Sequence, residues 1–205
     1  MSPVSQLAQE DPMKAGMIIM LNGASSSGKS TILHALQDLF DEPYLDAGLD
    51  KFLWMLPTRY LDRPLWDEVL GLATRAGDLG HHLVGGMHRA IEGLSRSGNN
   101  VIADHVLVER SWLLQCALLF SDLPAYLVGV RCPLEVLEAR ERQRRTRTIG
   151  QAKAQHELVH ADLTYDFEVD TSVSSAQACA QQIKERVEQS GPPRAFKLLK
   201  ERVAG

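Results

Sequence analysis

The sequence has few cysteines and no long apolar stretch. Its three cysteines, Cys116, Cys132 and Cys179, are widely spaced and form no C-x-x-C pair. That usage is typical of reduced thiols in the cytoplasm rather than of a zinc site or a disulfide framework. No uninterrupted apolar run exceeds five residues, whereas a membrane-spanning helix needs about 20, and residues 1–15 lack the basic and apolar regions of a signal peptide. We therefore expect a cytoplasmic protein without a membrane partner.

The sequence also has no excess of basic charge. Its 205 residues include 22 Lys and Arg against 26 Asp and Glu, a formal net charge of −4, and 44% of them are hydrophobic. This length and composition are typical of one globular domain, and the acidic balance disfavours a nucleic-acid partner. Seven histidines are present, but no cysteine or carboxylate completes a ligand set around His81, His82 and His88, so zinc is not expected.

Short apolar runs alternate with segments of helical periodicity, which predicts a parallel α/β sheet covered by helices on both faces. The expected strands are 17–21, 44–49, 101–104, 125–130 and 167–171. The expected helices are 32–40, 64–97 with at least one break, 112–120, a helix from Pro133, 151–160 and 176–187. Residues 16–190 would form the domain, between a flexible leader at 1–15 and a C-terminal tail or short helix at 191–205.

A phosphate-binding motif follows the first predicted strand. Residues 23–30 read GASSSGKS, a full match to the P-loop pattern G-x-x-x-x-G-K-[ST], between an apolar strand and an amphipathic helix. In such a loop the backbone N–H groups bind phosphate oxygens, Lys29 reaches the β- and γ-phosphates, and the Ser30 hydroxyl coordinates Mg²⁺. The expected nucleotide-binding residues are Gly23, Ala24, Ser25, Ser26, Ser27, Gly28, Lys29, Ser30 and Thr31, of which Thr31 carries an incidental helix hydroxyl. ATP and Mg²⁺ are the expected cofactors, and the sequence has no N-K-x-D guanine signature.

Asp104 ends the third predicted strand, where a Walker-B carboxylate holds Mg²⁺ directly or through water. The competing interpretation is an aspartate that only forms a turn. His105 comes next in the chain, and we expect it to be either a hydrogen-bonded residue at the rim of the site or a contact to substrate.

Asp50 stands just beyond the second predicted strand, at the sheet edge where open α/β folds bind ligands. A carboxylate there can accept the proton of an acceptor hydroxyl as that hydroxyl attacks a γ-phosphorus, so we expect Asp50 to be the catalytic base. The structural alternative is that Asp50 caps a helix beginning near Lys51. A ribose-binding role is disfavoured because the glycine loop is not G-x-G-x-x-G.

Five arginines fall within residues 140–147, which read RERQRRTR. On a helix, Arg140, Arg144 and Arg147 share one face by i+4 and i+3 spacing. Such a face, in a lid near 140–152, would close over a nucleotide and offset charge on the transferring phosphoryl group. The alternatives are a solvated charged face and a nucleic-acid patch, and a patch of that kind would carry interleaved aromatic residues that are missing here.

The acceptor side carries weaker signals. Trp54, Met55 and Trp66 are equally compatible with an acceptor pocket and with ordinary packing. Together the motifs indicate phosphoryl transfer from ATP to the hydroxyl group of a small molecule. Two other hypotheses are a nucleotide-dependent switch, suggested by the long helical segment and the C-terminal appendage, and a nucleoside or nucleotide kinase.

Several segments, taken in order, resemble a known family. They are MIIMLNGASSSGKS, DAGLDKF, NVIADHV, VGVRCPLEVLEARERQRR, HELVH and YDFEVDTS. Over residues 17–187 the chain is similar to the chloramphenicol phosphotransferase family of small P-loop kinases, which themselves resemble nucleotide and shikimate kinases. The resemblance implies a five-stranded parallel sheet, an arginine-bearing lid and ATP-dependent phosphorylation of a small-molecule hydroxyl, for example on an antibiotic.

The same resemblance implies roles for individual residues. The proposed base of the family maps onto Asp50, its P-loop lysine and serine map onto Lys29 and Ser30, and its lid arginines map onto Arg140, Arg144 and Arg147. The chain departs from the family pattern where the third strand of the family ends in paired carboxylates, because here Asp104 is followed by His105. The acceptor region, 51–97, matches poorly, so the resemblance does not identify the acceptor.

Overall fold

The computed structural model describes residues 14–61, 76–144 and 149–204. The strands in these ranges are β1 Ile18–Asn22, β2 Tyr44–Asp46, β3 Asn100–His105, β4 Ala125–Arg131 and β5 Phe167–Asp170. They form one sheet in the order β2-β3-β1-β4-β5, and each neighbouring pair is parallel. The predicted five-stranded parallel α/β fold is therefore confirmed.

Helices connect the strands and cover both faces of the sheet. They are α1 Lys29–Leu39, α2 Leu49–Leu53, α3 Asp78–Arg96, α4 Arg110–Phe120, α5 Leu134–Gln143, α6 Gln151–His156, α7 Ala176–Gln189 and α8 Ala195–Ala204, with a 3₁₀ turn at Thr58–Tyr60. Part of the predicted helix 64–97 lies outside the described residues, and α3 begins after an N-cap at Gly77. None of the helices in the described ranges combines the length and apolar character needed to cross a bilayer.

The sheet is buried on both faces because alternate strand side chains point to opposite layers. In β1, Ile18 and Met20 pack in a core with α3, α4 and α8, whereas Ile19 and Leu21 pack in a second core with α1 and α7. All four side chains have no exposed surface. The three cysteines, Cys116, Cys132 and Cys179, are buried and free.

The second strand is shorter than the predicted 44–49. It ends at Asp46, two residues before Gly48, which is the N-cap of α2. One carboxylate oxygen of Asp46 accepts the Gly48 N–H at 3.0 Å, and the other lies 3.4 Å from Lys51 Nζ. These two contacts turn the chain from the strand into the helix, which places Asp50 in the first turn of α2 rather than at a strand end.

The segment predicted as a tail or short helix contains α8, and α8 is part of the core. Asp166 Oδ1 accepts the N–H groups of Arg194 at 2.6 Å and Ala195 at 3.0 Å, which satisfies two backbone donors at the start of the helix. Phe196 is buried, and its ring meets that of Phe120 edge to face at a centroid distance of 5.4 Å. The C-terminal helix is therefore anchored by both hydrogen bonds and an aromatic contact.

This packing predicts that Phe196→Ala lowers the free energy of unfolding by about 3–5 kcal/mol, the usual effect of truncating a buried phenylalanine. Leu198→Ala is the matched control, because Leu198 on the same helix is 41% exposed, and it should cost less than about 1 kcal/mol. Urea unfolding of both variants measures the difference. Equal effects would contradict the docking of α8 on the core.

Candidate active site

The loop between β1 and α1 follows a backbone path that restricts its side chains. A Cβ atom at Gly23 would lie 2.6 Å from the carbonyl oxygen of Val130, so the loop passes β4 at a distance that a larger residue would prevent. Gly28 and Ser26 have left-handed backbone conformations, with φ of 91° and 67°. Glycine adopts this conformation freely, whereas a serine is strained in it. The loop is therefore shaped by its surroundings as well as by its glycines.

The loop has the features of an anion site. Helix α1 begins at Lys29 after Gly28, and no side chain caps its first N–H groups. The hydroxyl oxygens of Ser25, Ser26 and Ser27 are buried and have no hydrogen-bond partner among the described residues. Buried polar groups are normally paired, and a helix N-terminus attracts negative charge. The residues present therefore fit the phosphate groups of a nucleotide.

Lys29 is folded back on the loop. Its Nζ atom donates to the carbonyl oxygens of Gly23 and Ala24, both at 2.8 Å. On the other side of the loop, Gln155 Oε1 accepts the Ser25 N–H at 2.6 Å. The cavity at this point has a volume of about 60 Å³, well below the roughly 300–1,000 Å³ of ligand pockets. A wider groove of about 410 Å³, which Ser30, Asp50 and Asp104 also line, adjoins this cavity.

Ser30 and Asp104 are brought together across the sheet. β1 pairs with β3 so that Leu21 lies opposite Asp104, which places the Asp104 carboxylate beside the start of α1. Ser30 Oγ donates to Asp104 Oδ2 at 2.6 Å. A hydroxyl and a carboxylate are the oxygen ligands that suit Mg²⁺. The geometry thus joins the two residues predicted to hold the ion, and Asp104 does more than form a turn.

Asp50 lies at the same site. It lines the cavity together with Lys29, Ser30, Asp104 and Arg144. The alternative that Asp50 caps a helix is wrong, because the N-cap of α2 is Gly48 and Asp50 is within the helix. Its carboxylate is half-buried and lines the same cavity as the loop and the Ser30–Asp104 pair.

Arg140 and Arg144, two of the three predicted lid arginines, do not share one helical face. α5 ends at Gln143, and Arg144 has an extended backbone, because buried Glu141 accepts the N–H groups of Gly150 at 2.8 Å and Ala152 at 2.9 Å and draws the chain back. Arg144 lines the cavity, whereas Arg140 contacts the Ser26 carbonyl, the Cys132 sulfur and both the hydroxyl and the carbonyl of Thr171. Arg147 lies outside the described residues.

His105 is fully buried rather than at an exposed rim, and it lines the same cavity as Asp50 and Asp104. Its Nδ1 accepts the Val106 N–H at 2.7 Å, so its proton is on Nε2, which faces His88 Nε2 at 2.9 Å. His88 Nδ1 is then the donor to Gln115 Oε1 at 2.7 Å. Burial lowers the pKa of both histidines, to about 4 for His88, which keeps the chain of hydrogen bonds neutral.

The aromatic and apolar candidates on the acceptor side are only partly placed. Trp54 is 74% exposed and Met55 70% exposed, and Trp54 lines a groove that continues from Ser30 and Asp50. Trp66 lies outside the described residues. Thr31 is an exposed residue of α1, in agreement with an incidental hydroxyl.

Sequence reasoning missed three residues that contact the loop or the lid region: Gln155, Glu141 and Thr171. Thr171 Oγ1 donates to the Ser27 carbonyl at 2.9 Å. Thr171 belongs to the YDFEVDTS segment, so its neighbourhood carried a signal, but no local pattern assigns a partner 144 residues away. Glu141 likewise belongs to the VGVRCPLEVLEARERQRR segment, whereas Gln155 lies outside every segment that carries the resemblance.

The fold and the site define a P-loop kinase. Residues 16–188 match the model of the family described as chloramphenicol phosphotransferase-like protein. A protein of Mycobacterium tuberculosis, provisionally named an O-phosphotransferase in two strains, is 35% identical over 210 residues, which cover 96% of this chain and 93% of the relative. The chain belongs to the chloramphenicol phosphotransferase-like family, and it is a small-molecule phosphotransferase.

Solved structures share the same fold at low sequence identity. The Deinococcus radiodurans tunicamycin resistance protein is 19% identical, with a TM-score of 0.60 and coverage of 87% of this chain and 99% of that one. The Mycobacterium tuberculosis APS kinase bound to AMPPNP and APS is 15% identical, with a TM-score of 0.60 and coverage of 85% and 99%. Shikimate kinase from Acinetobacter baumannii is 12% identical, with a TM-score of 0.60 and coverage of 87% and 97%.

The contact between Gly48 and Asp104 gives a prediction about stability. A Cβ atom at Gly48 would lie 2.3 Å from Asp104 Oδ1, so Gly48→Ala should displace the carboxylate from Ser30 and cost about 1–3 kcal/mol. The backbone of Gly48 suits alanine, with φ −65° and ψ 154°, so the loss comes from the contact alone. Gly86→Ala is the control, because no atom lies within 4 Å of its added Cβ, and alanine is about 1 kcal/mol better in a helix. Urea unfolding distinguishes the two, and equal stabilities would contradict the placement of Asp104.

The buried histidine pair predicts a pH dependence of folding. The pKa of His88 is about 4 in the folded protein and 6.5 in an exposed histidine, so between these values the unfolded state binds more protons. The free energy of unfolding should therefore fall as the pH drops from 6.5 towards 4, by up to about 1.4 kcal/mol per pH unit for each such histidine. His88→Gln should flatten this slope in urea unfolding at several pH values. Replacing the exposed His34 by glutamine should not, and an unchanged slope in His88→Gln would contradict the prediction.

Proposed function

We propose that the protein transfers the γ-phosphoryl group of ATP to a hydroxyl group of a small molecule. The observation that carries the proposal is the 2.6 Å hydrogen bond between Ser30 and Asp104 at the end of a GASSSGKS loop, in a cavity that Asp50 also lines. This arrangement unites a phosphate cradle, a pair of oxygen ligands and a carboxylate within one cavity. Membership of a family of phosphotransferases supports the same reaction.

The phosphate groups would be held by the loop. Its backbone N–H groups and the N-terminus of α1 attract the negative charge of phosphate. The hydroxyls of Ser25, Ser26 and Ser27, which have no partner among the described residues, can donate to phosphate oxygens. Lys29, on leaving the carbonyls of Gly23 and Ala24, would bind the β- and γ-phosphates. Catalysis in this class depends mainly on such positioning and on electrostatic stabilisation.

Ser30 and Asp104 would hold Mg²⁺. The ion, when bound, neutralises charge on the β- and γ-phosphate oxygens. Because the two side chains already meet at 2.6 Å, the hydroxyl proton of Ser30 has to turn away from Asp104 before both oxygens can face a cation. The rest of the ligand set would come from phosphate oxygens and water, as is usual for Mg²⁺.

Asp50 would be the catalytic base. Its carboxylate would accept the proton of the acceptor hydroxyl while the hydroxyl oxygen bonds to the γ-phosphorus and the bond to the leaving β-phosphate oxygen breaks. Arg144, which lines the same cavity, would offset negative charge on the transferred group. Arg140 and Arg147 were predicted as further members of this group; a direct role for Arg147 stays part of the proposal, whereas the contacts of Arg140 with Thr171 favour a different role for Arg140.

An antibiotic is a suitable acceptor to test first. The matching family is described by chloramphenicol, and one protein with the same fold is a tunicamycin resistance protein. Nucleosides and nucleotides are the second class, because nucleoside and nucleotide kinases are P-loop kinases. Free buried thiols at Cys116, Cys132 and Cys179 support a reducing compartment such as the cytoplasm.

The hypothesis of a nucleotide-dependent switch loses one of its two grounds. It rested partly on a C-terminal appendage available to a partner. α8 instead packs on the core through Ala195, Phe196 and Leu199, so those side chains are not available for a partner to bind. A small-molecule kinase remains the function that the site supports best.

The test is transfer of labelled phosphate from ATP to a panel of hydroxylated antibiotics, nucleosides and metabolites. We expect Mg²⁺-dependent transfer to at least one acceptor, and Asp50→Asn to reduce that rate by about 10²–10⁴-fold, the usual contribution of a general base. The isosteric change removes the proton acceptor and keeps the size of the side chain, so nucleotide affinity should remain within a few-fold of the parent.

Asp38→Asn is the matched control, because Asp38 is an exposed aspartate of α1, and it should leave the rate unchanged. If Asp50→Asn transfers phosphate at the parent rate, the assignment of the base is wrong. If the parent protein releases ADP equally with and without every acceptor in the panel, the proposed phosphotransfer is not its function.

A further inference from the structure

Thr171 connects the phosphate loop to the far side of the sheet. It follows β5, and β5 and β3 lie on opposite sides of β1 in the strand order. The loop therefore has Asp104 on one flank and Thr171 on the other. The Thr171 N–H donates to the Arg131 carbonyl at 3.1 Å, so its backbone is held by β4. Its hydroxyl lies 3.4 Å from the same carbonyl and closer, at 2.9 Å, to the Ser27 carbonyl of the loop.

Two hydrogen bonds run from this flank to the carbonyl groups of the loop. Thr171 Oγ1 donates to the Ser27 carbonyl at 2.9 Å, and Arg140 Nη1 lies 3.5 Å from the Ser26 carbonyl. Arg140 is itself held by Thr171, because its Nη1 donates to Thr171 Oγ1 at 3.0 Å and its Nη2 to the Thr171 carbonyl at 2.7 Å. We call these two residues the Arg140–Thr171 pair. Thr171 is 8% exposed, so water competes little for these bonds.

The direction of these carbonyls decides the direction of an N–H group. A trans peptide unit is planar, and its C=O and N–H point opposite ways. Because the Ser27 carbonyl is directed at Thr171, the N–H of Gly28 in the same peptide unit is directed away from it. Gly28 is the N-cap of α1, and its N–H is one of the backbone donors of the phosphate-binding motif.

The same contacts lie next to the strained residue of the loop. Ser26 has a φ of 67°, and a left-handed conformation of a residue other than glycine persists only where the surroundings hold it. The carbonyl of Ser26 contacts Arg140 and the next carbonyl contacts Thr171. Without these bonds the loop is freer to relax into a conformation whose amides no longer converge on a ligand.

We propose that Thr171, held by Arg140, is a positioning residue that maintains the phosphate-binding conformation of the loop. The inference rests on the proposed function, because the ligand of the loop is taken to be the phosphate groups of ATP. It assigns Thr171 a function in nucleotide affinity. Arg140 then positions Thr171 instead of forming part of a lid. The loss of the Thr171 hydroxyl should weaken nucleotide binding without unfolding the protein.

The experiment compares Thr171→Val, which replaces the hydroxyl by a methyl group, with Thr171→Ser, which keeps it. Binding of ADP with Mg²⁺ is measured by isothermal titration calorimetry, and the melting temperature of each unliganded variant is recorded. We expect Thr171→Val to raise the Kd by about tenfold, which corresponds to about one hydrogen bond of 1.4 kcal/mol. Thr171→Ser should restore the Kd to within about twofold of the parent.

Two further variants make the comparison decisive. Thr164→Val is the control, because the Thr164 hydroxyl bonds Arg202 instead of the loop, and it should leave the Kd unchanged. Thr171→Ala is a second variant without the hydroxyl. Because it adds no methyl group, it replaces Thr171→Val if the valine variant does not fold. It should bind ADP as weakly as Thr171→Val.

The outcomes separate this inference from the proposed function. If the parent and Thr171→Val bind ADP with Mg²⁺ equally well, the positioning role of Thr171 is wrong and the kinase proposal is unaffected. If serine fails to rescue affinity, the hydroxyl is not the group responsible and the inference is also overturned. A purely structural role would lower the melting temperature and leave the Kd as in the parent. If the parent itself does not bind nucleotide, both the proposed function and this inference are wrong.

Discussion

The loop between β1 and α1 turns a buried strand into a helix along a path that costs free energy. Ser26 is held in a left-handed conformation, and the hydroxyls of Ser25, Ser26 and Ser27 are buried without partners. A chain segment with such features is stable only if neighbouring groups compensate for it. Here β4 leaves space for a glycine only at position 23, and Gln155 accepts the N–H of Ser25. Arg140 and Thr171 bond the carbonyls of Ser26 and Ser27. The conformation of the loop is thus a property of the whole sheet edge.

The parallel sheet supplies that edge. Because all pairs of neighbouring strands are parallel, the carboxyl ends of β1, β3 and β5 point the same way, and the segments after them meet. The strand order places β3 directly beside β1, which brings Asp104 to Ser30 although 74 residues separate them. The order places β5 on the other flank, beyond β4. Residues scattered over most of the chain are therefore gathered around the loop, with the Ser30–Asp104 pair on one side and the contacts of Thr171 on the other.

The parts of this arrangement that sequence predicts are the parts encoded locally. The GASSSGKS motif, its flanking strand and helix, and the third strand all follow from patterns within about ten residues. The structure contains all of them, although β3 ends at His105, one residue after the predicted end at Asp104. β2 was predicted too long, because the hydrogen bond from Gly48 to the Asp46 carboxylate turns the chain early. The prediction that the arginines share a helical face was wrong for a different reason. Spacing treats 140–147 as one helix, but α5 ends at Gln143 because the carboxylate of Glu141 bonds the N–H groups of Gly150 and Ala152.

Contacts between segments that are distant in the sequence cannot be predicted from local patterns. Thr171 and Gln155 meet the loop from 144 and 130 residues away, and neither has a local pattern that names its partner. His105 shows the same limit, since a histidine after a strand-end aspartate looks like a residue of the site. Alternation along β3 sends its side chain into the core, where its Nε2 meets His88 and its Nδ1 accepts the Val106 N–H. Which face of a strand a polar residue occupies depends on register, and register is set by the whole sheet.

Asp50, the proposed base, and the groove beside Trp54, the proposed acceptor site, are anchored differently in the fold. α2 carries Asp50, and its buried residues Leu49 and Leu53 pack in the same core as α3. Trp54, which follows directly, is exposed and lines the groove outside. Substitutions at exposed groove positions leave the packing of Leu49 and Leu53 intact, so they can change what binds without moving the carboxylate away from the phosphate loop. Conversely, the chemistry at the loop makes no demand on the acceptor beyond a hydroxyl within reach of Asp50. The poor match of residues 51–97 to the family pattern is therefore compatible with an unchanged phosphoryl-transfer site.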